Sequence, residues 1–103
     1  MTALLAKVPN LDAVFVASDL MAAGALETLL EADKRVPEDV AVVGFDDHVA
    51  IAAHTAPPLT SVRQDSDAQV KHMVEHLMKL LRDETVKTKK QMLPTTLVRR
   101  ESA

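Results

Sequence analysis

The chain has 103 residues, of which 48% are apolar and 26% charged, so its size allows one small domain with a modest core. It has no cysteine, which excludes disulfides and thiolate metal sites, and its two aromatic residues, Phe15 and Phe45, argue against base stacking. The net charge of −3 is uneven, with three basic and nine acidic side chains in residues 1–62 and nine basic and six acidic ones in residues 63–103, which indicates two differently solvated surfaces. No apolar run reaches about 18 residues and no signal-peptide pattern opens the chain, so we expect neither a membrane span nor a secretion signal.

The first half of the chain predicts a β-α-β unit. Residues 1–8 have the apolar spacing of the last turns of a helix, and residues 11–17, LDAVFVA, predict a buried strand. The pattern of residues 20–32 predicts a helix, in which Gly24 indicates close approach to a sheet or to a partner. Residues 40–45, VAVVGF, predict a second strand, buried on both faces and parallel to the first.

Polar side chains follow both predicted strands. Ser18 and Asp19 follow the first strand and either can cap the helix, while Asp46 and Asp47 follow the second. Because parallel strands end at one edge of a sheet, we expect these four residues on one rim, where open α/β sheets bind ligands. The acidic rim suits recognition of sugar hydroxyls, a magnesium site, or only a helix cap and a turn, and the pattern leaves these readings open.

The second half predicts shorter elements and one long helix. We expect residues 48–56 to be a brief helix or ordered loop, residues 59–63 a short strand, and residues 95–98 a strand for which Pro94 indicates an edge position or a bend at its start. Residues 68–82 predict a helix whose apolar stripe needs a partner, so we expect a homodimer. The stripe comprises Val70, Met73, Val74, Leu77, Leu80 and Leu81. Lys87, Lys89 and Lys90 predict a basic surface turn.

The same helix contains His72, Glu75 and His76 in the order H-x-x-E-H, a pattern found in one class of zinc peptidases. On a helical wheel both histidines fall opposite the apolar stripe, so we expect them to face solvent. A metal-dependent enzyme, built on this motif or on the acidic rim, is the alternative.

The chain resembles the lactose-repressor/galactose-repressor family of bacterial transcription regulators. The blocks that carry the resemblance are LDAVFVASDLMAAGALETLLEADKRVPEDVAVVGFDD, PPLTSVRQD and LPTTLVRRESA. The resemblance implies an α/β fold, a parallel sheet flanked by helices in part of a periplasmic-binding-protein-like sensor domain. Residues 1–103 then correspond to one C-terminal portion of that domain, beginning within a helix, with the helix at 68–82 in the other lobe.

The resemblance also implies a function without catalysis or a cofactor. The effector, a sugar or related metabolite, would contact Ser18, Asp46 and Gln64, and the acidic rim adds Asp19 to this set. Asp33 occupies the position of a helix-ending glycine. A cytoplasmic homodimer is implied, which binds DNA only through an N-terminal domain outside these residues. We therefore expect this chain alone to bind effector weakly or not at all. A fragment of a periplasmic-type sugar-binding protein is the other alternative.

Overall fold

Three of the predicted strands lie side by side and run parallel. The computed structural model describes residues 1–82, 84, 90 and 92–103. Within them, the strands β1 (Ala13–Phe15), β2 (Ala41–Asp46), β3 (Thr60–Gln64) and β4 (Thr95–Val98) form one sheet in that order. The first three are parallel neighbours, with Val14 opposite Val42 and Gly44 opposite Ser61.

The last strand makes the sheet mixed. Beyond β4, the Arg100 amide donates to the Thr60 side chain and the amides of Glu101 and Ser102 donate to the Pro58 carbonyl. The returning chain therefore runs antiparallel to β3. As Pro94 predicts, β4 lies at the edge of the sheet.

In the part of the chain that the structure describes, one helix precedes the first strand and three helices connect the strands, in the segments that the apolar spacing predicts. They are α1 (Thr2–Lys7), α2 (Asp19–Glu31), α3 (Val49–Ala52) and α4 (Ser66–Leu81). Helix α2 ends before Asp33, whose φ of 54° is the left-handed conformation expected at this glycine-like position. Within the described residues, no helix has both the length and the apolarity that a membrane crossing requires. The predicted basic turn at Lys87 and Lys89 lies outside the described residues.

The chain divides into two compact units at the end of β3 and at the start of β4. The first comprises residues 1–63 and 96–103, and the second residues 64–95. The core of the first unit lies between α2, α3 and the sheet, and complete burial of a leucine such as Leu29 contributes about 1.5–3 kcal/mol. Its buried members are Ala22, Leu26, Leu29, Val40, Val42, Ala52 and Leu59.

Two burial predictions for the first unit are wrong. Strand β1 is an edge strand rather than a buried one, and the Phe15 side chain on its outer face is 60% exposed. Only one face of β2 is fully buried, at Val42 and Gly44, because α2 covers that face while the alternate residues remain half-buried. Gly24 does not allow close approach of α2 to the sheet, since a Cβ added there meets nothing within 4 Å, and close approach to a partner stays a prediction.

Helix α4 in the second unit has no buried residue. Its stripe lies open, with Met73 71%, Leu81 70% and Val70 60% exposed. The prediction that His72 and His76 face solvent is wrong, because both are half-buried and line a pocket of about 560 Å³ beside Leu77 and Leu80. The placement of the helix at 68–82 in the other lobe of a larger sensor domain stays a prediction.

Candidate functional site

The carboxyl edge of β1 and β2 brings Ser18 and Asp46 to one rim. Phe15 lies opposite Val43 in the sheet, and the Val16 amide donates to the Val43 carbonyl at 2.8 Å. Ser18 lies three residues beyond Phe15, and Asp46 lies three residues beyond Val43. Both residues therefore lie where their strands leave the sheet, as the parallel β-α-β unit predicts.

Two consecutive aspartates at this rim have backbone conformations that L-residues rarely adopt. The φ angle is 100° at Asp46 and 51° at Asp47. Aspartate tolerates such angles better than most residues, yet each costs about 1–3 kcal/mol and persists only where the surroundings impose it. The chain turns sharply here, so Asp46 is exposed at the rim while Asp47 is buried beneath it.

Ser18 is the N-cap of α2. Its backbone is extended, and its Oγ accepts a hydrogen bond from the Met21 amide at 3.3 Å. A hydroxyl has two acceptor positions and one donor. The cap uses one acceptor position, so Ser18 can hold the helix end and still donate a hydrogen bond at the rim.

Asp19 is not a helix cap, contrary to one sequence-based reading. It is 1% exposed and points into the molecule. One carboxylate oxygen accepts from the Ser61 hydroxyl and the other from the His48 amide, both at 2.6 Å. Asp19 therefore ties the start of α2 to β3 and to the turn after β2. Direct contact between Asp19 and a ligand stays a prediction.

Asp47 is the buried anion of the site. Its carboxylate is fully buried, with Oδ2 accepting from Arg63 Nε at 2.6 Å. Arg100 Nη2 lies 2.7 Å from Oδ1, in the geometry of an ion pair rather than of an aligned hydrogen bond. Burial acts to raise the pKa of Asp47, but Arg100 and Arg63 outweigh burial and lower this pKa below the ordinary value of an aspartate. Asp47 is therefore an anion at neutral pH.

The C-terminal segment completes this arrangement. Arg100 Nη1 donates to the Leu59 carbonyl at 2.7 Å, which fixes the guanidinium that meets Asp47. Ser102 is fully buried between β2 and β3: its Oγ donates to the Val42 carbonyl at 2.6 Å and accepts from the Thr60 amide at 2.8 Å. The last four residues thus link β2 to β3 through Ser102 and place Arg100 beside Asp47.

Gln64 is the first residue of the second unit. It is the last residue of β3, is half-buried, and its Oε1 accepts from Gln69 Nε2 at 2.9 Å. Its predicted ligand contact stays a prediction. Across the described part of the chain, no group of three His, Asp or Glu side chains is placed to hold a metal ion, either at the acidic rim or around His72, Glu75 and His76.

Sequence reasoning missed three contributors to the rim: Ser61, Arg63 and Arg100. None belongs to a local motif, because each contacts a residue at least 14 positions away in the chain. Alternation in β3 places Ser61 and Arg63 on the same face of the strand, but it does not name their partners.

Comparison with known proteins identifies the family of this chain. The family model described as a periplasmic binding protein-like domain matches residues 2–103. The HTH-type transcriptional regulator CelR of Thermobifida fusca is 45% identical over 102 residues, which cover 99% of this chain and 30% of that protein. A solved CelR–cellobiose complex has a TM-score of 0.93 at 44% identity, covering 99% of this chain and 31% of that one.

A dimeric Lac repressor structure extends the comparison. Its TM-score is 0.85 at 35% identity, covering 97% of this chain and 36% of that one. The chain therefore spans about a third of the length of the relatives it matches. It belongs to the periplasmic binding protein-like domain family, among the sensor domains of lactose-repressor/galactose-repressor regulators.

Proposed function

We propose that this chain is the effector-sensing part of a DNA-binding transcription regulator whose effector is a sugar. The observation that carries the proposal is Asp46, an exposed carboxylate held at the carboxyl edge of β2 in a fold shared with a regulator solved in complex with cellobiose. A carboxylate accepts charge-assisted hydrogen bonds from pairs of sugar hydroxyls, which are roughly twice as strong as neutral ones.

In this proposal Asp46 and Ser18 contact the effector directly. Asp46 accepts from hydroxyls and Ser18 donates from the end of α2. Gln64 adds a polar contact at the end of β3. Asp19 supports the rim from below, since both of its carboxylate oxygens accept from groups of the chain itself.

The whole protein acts by a shift between two states. A ligand changes such an equilibrium only through its different affinities for the two states. The effector therefore favours one arrangement of the sensor, and DNA contact lies outside these 103 residues, as the HTH-type relative suggests. We propose a cytoplasmic homodimer that is not an enzyme. The matched regulators support this proposal, including the dimeric Lac repressor.

Two other functions have less support. A periplasmic-type sugar-binding protein shares the fold, but the relative that is 45% identical across 99% of the chain is named as a transcriptional regulator. A metal-dependent enzyme would require a ligand cluster that the described residues do not form.

Titration calorimetry on the full-length protein that carries this chain tests the proposal, with cellobiose as the first probe and other sugars after it. Wild type should bind one of them, and Asp46→Asn should weaken binding about 10- to 100-fold, because a hydrogen bond to a charged group contributes about 1.5–3 kcal/mol. Glu38→Gln, which alters an exposed carboxylate before β2, is the matched control and should leave affinity unchanged.

The isolated chain provides the complementary measurement. We expect it to bind the same sugar weakly or not at all, because only part of the sensor domain of the relatives is present in it. Micromolar affinity in the isolated chain would contradict this expectation, and unchanged affinity of full-length Asp46→Asn would refute the role of Asp46.

A further inference from the structure

The backbone of Asp46 is fixed by the residues that follow it. The Asp47 amide donates to the Ser61 hydroxyl at 3.1 Å, and the His48 amide donates to the Asp19 carboxylate at 2.6 Å. Ser61 in turn donates to Asp19 at 2.6 Å. Asp19 and Ser61 therefore hold two consecutive peptide groups directly after Asp46, and both are buried.

The side chain of Asp47 adds two ion pairs that also restrain the turn. Its carboxylate is fully buried between Arg63, next to the end of β3, and Arg100 in the C-terminal segment. The register of β2 and β3 places Asp46 directly opposite Arg63. The ion pair between Arg63 and Asp47 therefore links the end of β2 to β3. The Arg100 side chain is only 18% exposed and is itself held by the Leu59 carbonyl, so it is a rigid partner.

These contacts explain the two unusual φ angles. A run of two left-handed residues is stable only where surrounding contacts outweigh its cost. The amide bonds fix where the chain goes after Asp46, and the buried ion pairs prevent Asp47 from rotating outward. Releasing the carboxylate of Asp47 therefore removes one of the two sets of contacts that hold the turn in this shape.

We propose that Asp47, held by Arg63 and Arg100, is the positioning residue of the site: it fixes the left-handed backbone at Asp46 and thereby aims the Asp46 carboxylate at the effector. This inference rests on the proposed function, because it gives Asp46 its ligand. Asp47 itself does not touch the effector; it acts through the residue before it.

Nuclear magnetic resonance of the 103-residue chain tests the positioning role without any ligand. Three-bond amide–Hα couplings of Asp46 and Asp47 report φ in the folded state and do not change when only the free energy of unfolding changes. We expect Arg100→Met to shift both couplings from values for positive φ toward those of an extended strand. Arg63→Met, at a more exposed side chain, should shift them in the same direction by a smaller amount.

Two further variants separate positioning from general stability. Arg35→Met removes an exposed arginine that also pairs with an aspartate, Asp39, and should leave the couplings at Asp46 and Asp47 as in wild type. Arg100→Lys keeps a cation for Asp47 and should restore part of the wild-type couplings. If Arg100→Met does not fold, Arg63→Met decides the test. Unchanged couplings in every folded arginine variant would overturn the proposal.

Calorimetry on the full-length protein adds the functional measurement, with cellobiose as the probe. Arg100→Met and Arg63→Met should each weaken binding by about tenfold or more, as expected when a hydrogen bond to a charged group is misdirected, and Arg35→Met should not. Wild-type affinity in the two rim variants would also overturn the positioning role. If wild type binds no sugar, the proposed function fails instead, and the couplings still decide whether Asp47 fixes the turn.

Discussion

Gly44 lies in β2 at the place where the first turn of α2 meets the sheet. A Cβ added there would clash with the Asp19 carboxylate and lie 2.7 Å from Leu59 Cδ2. Neither neighbour can move easily, because Asp19 holds Ser61 and the His48 amide, and Leu59 is fully buried. Gly24 is the opposite case, since it lies within α2 and a Cβ there meets nothing.

We therefore expect opposite effects of the same substitution at the two glycines. Gly44→Ala should lower the free energy of unfolding by about 1–3 kcal/mol, because overpacking displaces buried groups. Gly24→Ala should raise it by about 0.5–1 kcal/mol, because alanine loses less backbone freedom in a helix. Urea denaturation followed by far-ultraviolet circular dichroism measures both changes. Equal effects at the two positions would contradict the geometry.

At the level of elements, hydrophobic periodicity accounts for most of what the sequence could predict. The helix predicted over residues 20–32 is α2 (Asp19–Glu31), and the strand predicted over 95–98 is β4 (Thr95–Val98). Such elements are local, and their spacing carries the information. Exposure depends instead on what covers an element, so neither the edge position of β1 nor the half-buried histidines of α4 could be predicted in this way.

The same distinction applies to the candidate site. Ser18 and Asp46 could be placed on one rim because parallel strands end together. The pairing of Asp47 with Arg63 and Arg100 could not be predicted, because those partners lie 16 and 53 positions along the chain and no local pattern joins them.

Ser102 in the C-terminal segment is a buried link between β2 and β3. Ser102→Ala removes the hydroxyl that bonds both the Val42 carbonyl and the Thr60 amide, which leaves two buried polar groups unpaired. We expect a loss of about 1–3 kcal/mol in the free energy of unfolding. The control is Ser66→Ala, at an exposed serine of α4, which should change it by less than about 0.5 kcal/mol. Similar urea midpoints for the two variants would show that Ser102 is not a structural tie.

At the level of the whole molecule, the apolar stripe of α4 is an exposed surface that favours association. Val74 and Leu77 are 53% and 54% exposed, and Leu81 is 70% exposed. Soluble proteins rarely leave a continuous apolar surface of this kind uncovered.

We therefore expect the isolated 103-residue chain to self-associate through α4. The double substitution Val74→Glu with Leu81→Glu should shift the chain to monomer, because charged residues at the stripe must lose water on association. Lys79→Glu, at an exposed polar position of the same helix, controls for added negative charge and should leave association unchanged. Light scattering across a concentration series measures the mass, and a monomeric wild type at high concentration would contradict the prediction.

The order of the sheet has a consequence for how this chain can be redesigned. The chain leaves the first unit after Arg63 and re-enters it at Thr96, and β3 and β4 are adjacent in the sheet while the returning chain runs antiparallel to β3. Residues 64–95 are thus an insertion at the place where a short hairpin loop of about two to five residues would suffice. The core, Ser102 and both arginine partners of Asp47 all lie in the first unit, so we expect a chain with a short hairpin loop in place of residues 64–95 to keep the contacts that hold Asp47.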